Sequence, residues 1–159
     1  MQAIDHDVLK HSLDWLEGTR PWLCTIVKTL GSSPRPVGSV VAISDDGRQV
    51  GSVSGGCVEE DLVERLRAGE YAGERPELIE YGVSAEENER LGLPCGGRIT
   101  LLLQRLGQDD KPWLAAALQA MDERRCVERH LDINTGETRL EPVAHFTSLS
   151  LGPVSYTHL

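Results

Sequence analysis

The chain has 159 residues, 40% of them hydrophobic, 26% charged and only 4% aromatic, and its formal net charge is −9. That length supports one domain with a real core, which aliphatic side chains must fill. The acidic balance excludes a nucleic-acid-binding surface, and the lack of any apolar run of bilayer length excludes a membrane span.

The expected elements run as follows. Residues 5–17 read as a helix with Asp5 or Asp7 as cap, an apolar stripe of Val8, Leu9, Leu13 and Leu16, and Gly18 at its end. Trp22 to Leu30 is rich in Thr, Ile and Val and reads as a strand, broken by two prolines at 34 and 36. Ser39–Ser44 and residues 48–54 form a hairpin across Asp45-Asp46-Gly47. Gly55-Gly56 ends that hairpin, and Cys57 opens a helix to about Ala68 with Val58, Leu62 and Leu66 on its buried face. The acidic residues at 59–61 and 86–89 are expected on solvated helix faces, those at 59–61 also favouring the helix dipole.

Leu78–Val83 reads as a strand, Ser84 as the cap of a short acidic helix, and Ile99–Leu106 as a buried strand. Asp110 and Pro112 start a helix that turns Trp113, Leu114, Ala117, Leu118 and Met121 inward. Residues 126–133 and 138 onward make a last hairpin across Asn134-Thr135-Gly136. The order of elements predicts an α+β fold, a single domain in which helices pack on a mixed β-sheet. The end of the chain, Val154-Ser155-Tyr156-Thr157-His158-Leu159, resembles one reading frame of a transposon-end adaptor used in sequencing libraries. The domain is therefore expected to occupy residues 1–153, with 154–159 a non-native tail, a frayed natural terminus being the alternative.

No basic region followed by an apolar run opens the chain, so a cytoplasmic protein without a signal peptide is expected. There the four cysteines, Cys24, Cys57, Cys95 and Cys126, stay reduced. They form no C-x-x-C pair, which argues against a zinc ribbon or a thioredoxin-like motif. Cys24 and Cys126 sit in strand patterns and are expected in the core.

Chemistry concentrates in three glycine-rich segments: Gly31-Ser32-Ser33-Pro34-Arg35-Pro36-Val37-Gly38, Gly51-Ser52-Val53-Ser54-Gly55-Gly56-Cys57-Val58-Glu59 and Gly92-Leu93-Pro94-Cys95-Gly96-Gly97. Glycine lets the backbone approach a ligand, Arg35 offers a planar fork to an oxyanion, and a thiolate binds soft metals or attacks sulfur. Cys57 is either a thiol favoured by a helix N-terminus or a small residue packed where helix meets sheet. Cys95 lines either a binding turn or a plain one, and Arg35 holds either an anion or a surface ion pair. Glu59 is either an acid–base group beside Cys57 or a solvated helix-face residue.

In this order, these segments and Glu80-Tyr81-Gly82-Val83 resemble the XdhC/CoxI family, accessory factors of xanthine dehydrogenase and carbon monoxide dehydrogenase. The resemblance runs from about Leu9 to Pro142 and would cover that family's N-terminal domain. The second, Rossmann-like domain usual in the family has no counterpart here, and Val40 and Val41 stand where some members carry methionine. The resemblance implies a maturation factor rather than a turnover enzyme. Such a factor binds and protects the molybdenum cofactor (molybdopterin) as cargo, assists exchange of an oxo for a sulfido ligand, and delivers the cofactor to an apo molybdenum hydroxylase. It implies a cysteine desulfurase as sulfur source and a homodimer as the assembly. Cys57 and Cys95 are then the candidate sulfur-side contacts near molybdenum. Ser32, Ser33, Arg35, Gly55, Gly56 and Gly96 are the candidate cofactor-binding residues beside them. Two rival readings are a cysteine-dependent persulfide transferase and a non-catalytic interaction module.

Overall fold

A five-stranded sheet organises this computed structural model, which describes residues 3–31, 35–54, 56–82, 84–91, 97–142 and 154–158. Its elements are α1 (Ala3–Trp15), β1 (Trp22–Leu30), β2 (Val40–Ile43), β3 (Gln49–Gly51), α2 (Cys57–Arg67), β4 (Glu77–Tyr81), α3 (Ala85–Leu91), β5 (Arg98–Arg105), α4 (Lys111–Asp122), β6 (Val127–Asp132), β7 (Thr138–Pro142) and β8 (Val154–His158). The strand order is β3-β2-β1-β5-β4, with a second sheet ordered β7-β6-β8. The α+β class and the packing of helices on the sheet hold, as the sequence predicts. The expected mixed strand sense is corrected, because every described pairing is antiparallel. The reason lies in the connections. β1, β2 and β3 follow one another through turns, and the chain between β4 and β5 starts and finishes at the same end of the sheet. No strand needs the full-length crossover that a parallel neighbour demands.

Side chains alternate between the two faces of the sheet, and each face is covered. Cys24, Ile26, Val41, Ile43, Leu101 and Leu103 meet Val58, Leu62 and Leu66 of α2 and Leu91 of α3. On the other face Leu23, Val40 and Ala42 meet Val8 and Leu9 of α1, Leu16 just beyond it, and Trp113, Leu114 and Ala117 of α4. Cys24 is buried as predicted, and burial pushes its thiol far above the ordinary value, so it is inert packing. Three expectations change in detail. Ala120 of α4 is buried, while Leu118 and Met121 are only partly so. Cys126 precedes β6 and is half-buried rather than core. β3 stops at Gly51 because Val53 and Ser54 bond to α2 instead of continuing the ladder. The backbone of residues 154–158 lies along β6, from Asp132↔Val154 to Glu128↔His158. The free edge of a strand accepts any extended segment, because backbone groups carry the ladder. Among the described residues no helix is long and apolar enough to cross a membrane.

Register decides where the glycine segments fall. Leu30 pairs with Arg98, Tyr81 with Ile99, Thr25 with Val40 and Gly51 with Val41. The C-terminal ends of β1, β3 and β4 and the N-terminal ends of β2 and β5 therefore share one end of the sheet. Gly31, Gly38, Gly51, Gly82 and Gly97 all lie there. The opposite end holds the β2–β3 turn, the C-terminus of α2 and a polar cleft of about 510 Å³ bordered by Arg20, Gly73, Gln104 and Arg105.

Candidate functional site

At the glycine-bearing end, α2 begins with Cys57, whose thiol is exposed, while Val58 and Glu59 turn inward. Gly56, its N-cap, has φ +150° and ψ −60°, a backbone conformation that residues with a Cβ rarely adopt. Among the described residues nothing lies within 4 Å of the position of a Gly56 Cβ, and the backbone angle by itself demands glycine there. The turn at Gly56 lets the chain leave the sheet end and enter the helix at once.

Glu59 is the main departure from the sequence reading. Expected on a solvated face, its carboxylate is fully buried. Oε1 accepts hydrogen bonds from the backbone N–H of Val53 at 2.5 Å and of Ser54 at 2.6 Å, and from Ser52 Oγ at 3.3 Å. Oε2 accepts from Ser54 Oγ at 2.8 Å. Ser54 Oγ in turn accepts from the N–H of Val58 at 3.2 Å and of Gly56 at 3.4 Å. The motive is desolvation. A carboxylate can be buried only where donors replace its water, and the extended 52–54 segment supplies them. Glu60 stays exposed, and Asp61 is held by the Tyr81 hydroxyl at 2.9 Å and Arg90 at 3.2 Å. In the second acidic cluster, Ser84 caps α3 through the Glu87 N–H as predicted, and the Glu87 carboxylate takes the Gly82 N–H.

The sequence did hold a signal for Glu59. It stands third in its helix, where a glutamate commonly reaches back to orphan N–H groups, and serines at 52 and 54 precede it. Burial alone would push the Glu59 carboxyl up, but the hydrogen bonds from Val53 and Ser54 outweigh that and hold it below its ordinary 4.5. The sign of the pH dependence follows. With the folded value depressed, Glu59 contributes stability that is complete above about pH 4.5 and is lost as pH falls through the folded value. Urea unfolding of the wild type and Glu59→Gln should therefore differ by about 1–3 kcal/mol at pH 7. The gap should shrink toward pH 3; a gap that widens in acid would contradict this account.

Arg35 lies on the other side of the sheet end, against the first turn of α1. Its Nη2 is 4.0 Å from Asp5 Oδ1, and both side chains are about one-fifth exposed. Burial raises the Asp5 carboxyl above its ordinary value, with Arg35 pulling it back. The ion pair weighed for this loop is thus present, at the outer limit of such contacts. Of the predicted site residues, the structure brings Arg35, Gly56 and Cys57 to the same end of the sheet. Ser32, Ser33, Gly55, Cys95 and Gly96 lie outside the described residues. No cluster of three or more His, Cys, Asp or Glu side chains suited to a metal ion occurs among the described residues. What the described part offers is an exposed thiol and, on the other side of the sheet end, a guanidinium, groups that suit a soft centre and an anion respectively.

Comparison with known proteins places this arrangement in context. The XdhC and CoxI family model matches residues 14–82. The molybdenum cofactor insertion chaperone PaoD of Escherichia coli (strain K12) is 34% identical over 134 residues, covering 80% of this chain and 40% of that protein. A protein of Bacillus subtilis (strain 168) described as a probable xanthine dehydrogenase subunit is 34% identical over 93 residues, covering 56% of this chain and 27% of that one. The chain thus spans less than half the length of these relatives. The crystal structure of a xanthine dehydrogenase from Bacillus halodurans superposes with a TM-score of 0.64 at 23% identity, over 88% of this chain and 46% of that one, and supports the fold.

Proposed function

We propose that this chain, whose residues 14–82 match the XdhC and CoxI family model, is the cofactor-holding part of an accessory factor for molybdenum hydroxylases. Its cargo is the molybdenum cofactor, which it binds and protects, helps to receive a sulfido ligand, and passes to an apo-enzyme of the xanthine dehydrogenase or carbon monoxide dehydrogenase type. A cysteine desulfurase supplies the sulfur, and the factor works in the cytoplasm as a homodimer without turning over a substrate of its own. Residues 1–153 are the functional domain, and 154–159 are a tail foreign to it.

The observation that carries this reading is topological. Five strand ends, each leading into or out of a glycine, meet at one end of the sheet beside an exposed thiol. Arg35 suits the phosphate of the cofactor, and Cys57 suits the molybdenum side. The 34% identity to a protein named as a molybdenum cofactor insertion chaperone supports the same cargo.

The test is to purify the chain from cells that make the cofactor, then measure molybdenum by mass spectrometry and pterin by fluorescence after oxidation. Wild type and Cys126→Ala should retain both. Cys57→Ala should lose at least about tenfold, the worth of one strong contact. Equal retention by Cys57→Ala would remove Cys57 from the site, and a pterin-free wild type would sink the reading. The exposure of Cys57 favours one alternative, persulfide transfer. That alternative predicts an added sulfur on Cys57 after incubation with a desulfurase and cysteine, with no pterin bound.

A further inference from the structure

We infer that Glu59 is the positioning residue of this site: its buried carboxylate ties the 52–54 segment to the first turn of α2 and so fixes where Cys57 emerges. The inference rests on the reading of Cys57 as a cofactor contact and adds the device that holds it in place. Its basis is the direction of the hydrogen bonds. Three donors, the Val53 N–H, the Ser54 N–H and the Ser52 hydroxyl, point at one carboxylate oxygen. The Ser54 hydroxyl donates to the other, which leaves its lone pairs for the N–H groups of Val58 and Gly56. Each bond therefore has one permitted direction, and both oxygens of Glu59 must accept. Cys57 sits inside this ring of contacts, between Gly56 and Val58, yet its own side chain is exposed. The segment that carries the thiol is therefore fixed from beneath by a residue that does not itself reach the surface.

A glutamine at 59 keeps the shape and breaks the direction. Its NH2 group must face either the Ser54 hydroxyl, already an acceptor for two N–H groups, or the three donors on the other side. An aspartate keeps the charge but falls one methylene short. Neither change touches the hydrophobic contacts of Val58, Leu62 and Leu66 that hold α2 to the sheet.

The experiment compares wild type with Glu59→Gln and Glu59→Asp on three readouts. The first is the rate of alkylation of Cys57 by iodoacetamide, with half-buried Cys126 as the internal reference. The second is amide hydrogen exchange at Val53, Ser54 and Val58. The third is retained pterin. In Glu59→Gln, Cys57 should alkylate about threefold faster while Cys126 is unchanged, since a loosened turn opens the sulfur to the reagent. Exchange should rise about tenfold at the three amides alone, and pterin retention should fall. Glu59→Asp should lie between. A general loss of stability would instead accelerate both cysteines and amides throughout the sheet, and that result would overturn a positioning role. So would unchanged alkylation and exchange in Glu59→Gln, even with cofactor bound. If wild type binds no pterin, the cofactor reading fails by itself, and the thiol and amide readouts still decide whether Glu59 positions Cys57.

Discussion

Gly82→Ala is expected to lower the unfolding free energy by roughly 2–5 kcal/mol, summing a backbone term and a packing term. Gly82 has φ +91°, where a residue with a Cβ is strained. A Cβ there would also stand 2.1 Å from the Gly97 carbonyl oxygen and 3.1 Å from Arg98 Cα. Both are backbone atoms at the start of β5, so no side chain can swing away to make room. The contact is anchored from both sides. The Gly82 N–H donates to the Glu87 carboxylate, and Asn88 Nδ2 donates to the Gly97 carbonyl at 3.2 Å. The crossing of 82 over 97 is thus what joins the exit of β4 to the entry of β5 at the site end. Gly69→Ala is the control. It has φ +76° but no described residue within 4 Å of its Cβ position, so it isolates the strain and should cost only about 1 kcal/mol. Urea unfolding of both variants measures the difference, and a Gly82→Ala loss no larger than that of Gly69→Ala would refute the crowding argument.

Much of the scaffold was legible because its causes are local. β1 begins at Trp22 and ends at Leu30 as predicted, since a β-branched run stops where the glycine and prolines of the next loop begin. α2 starts at Cys57 because two glycines precede it and apolar residues recur at helical spacing behind it. The strand sense was not legible, since it depends on the pairing of β1 with β5, nearly 70 residues apart at Leu30 and Arg98. Nothing in either segment announces that partner.

The site divided along the same line. Cys57 at a helix start, and an ion pair as one fate of Arg35, follow from local sequence. The inward turn of Glu59 does not, because three acidic residues in one helical turn read as a solvated face until the donors of residues 52–54 are folded over them. A carboxylate is hidden by its partners, and those partners come from a segment whose extended reading predicted a longer strand. The error over β3 and the error over Glu59 are therefore one error. The N–H groups that would have extended the ladder are the ones the carboxylate takes.

A similar tension between pattern and charge governs the second large effect, at Arg129. Val127, Arg129 and Leu131 alternate on the inner face of β6, so an arginine occupies a place that the pattern assigns to an apolar residue. Its side chain is 1% exposed. Nη2 donates to Thr25 Oγ1 at 3.0 Å, and the guanidinium lies 5.4 Å from the centre of the Trp113 ring. Nε and Nη1 have no acceptor among the described residues. Burial pulls the group down to about 10, with Asp110 opposing. A base whose folded value is depressed costs stability at neutral pH, and that cost eases as pH rises through 10, because the unfolded chain then holds the extra proton. Replacing the charge by a well-packed apolar side chain should therefore stabilise the fold. Arg129→Met together with Thr25→Val, which also removes the hydroxyl left without its donor, should gain about 1–3 kcal/mol in urea unfolding at pH 7. The gain should narrow above pH 10. Arg129→Ala should instead lose about 2–4 kcal/mol, because it leaves a cavity beneath β6 against Trp113. If the methionine variant loses as much as the alanine variant, the charge itself fastens the β6–β7 hairpin to the sheet, and its cation–π contact and single hydrogen bond outweigh the cost of burying it.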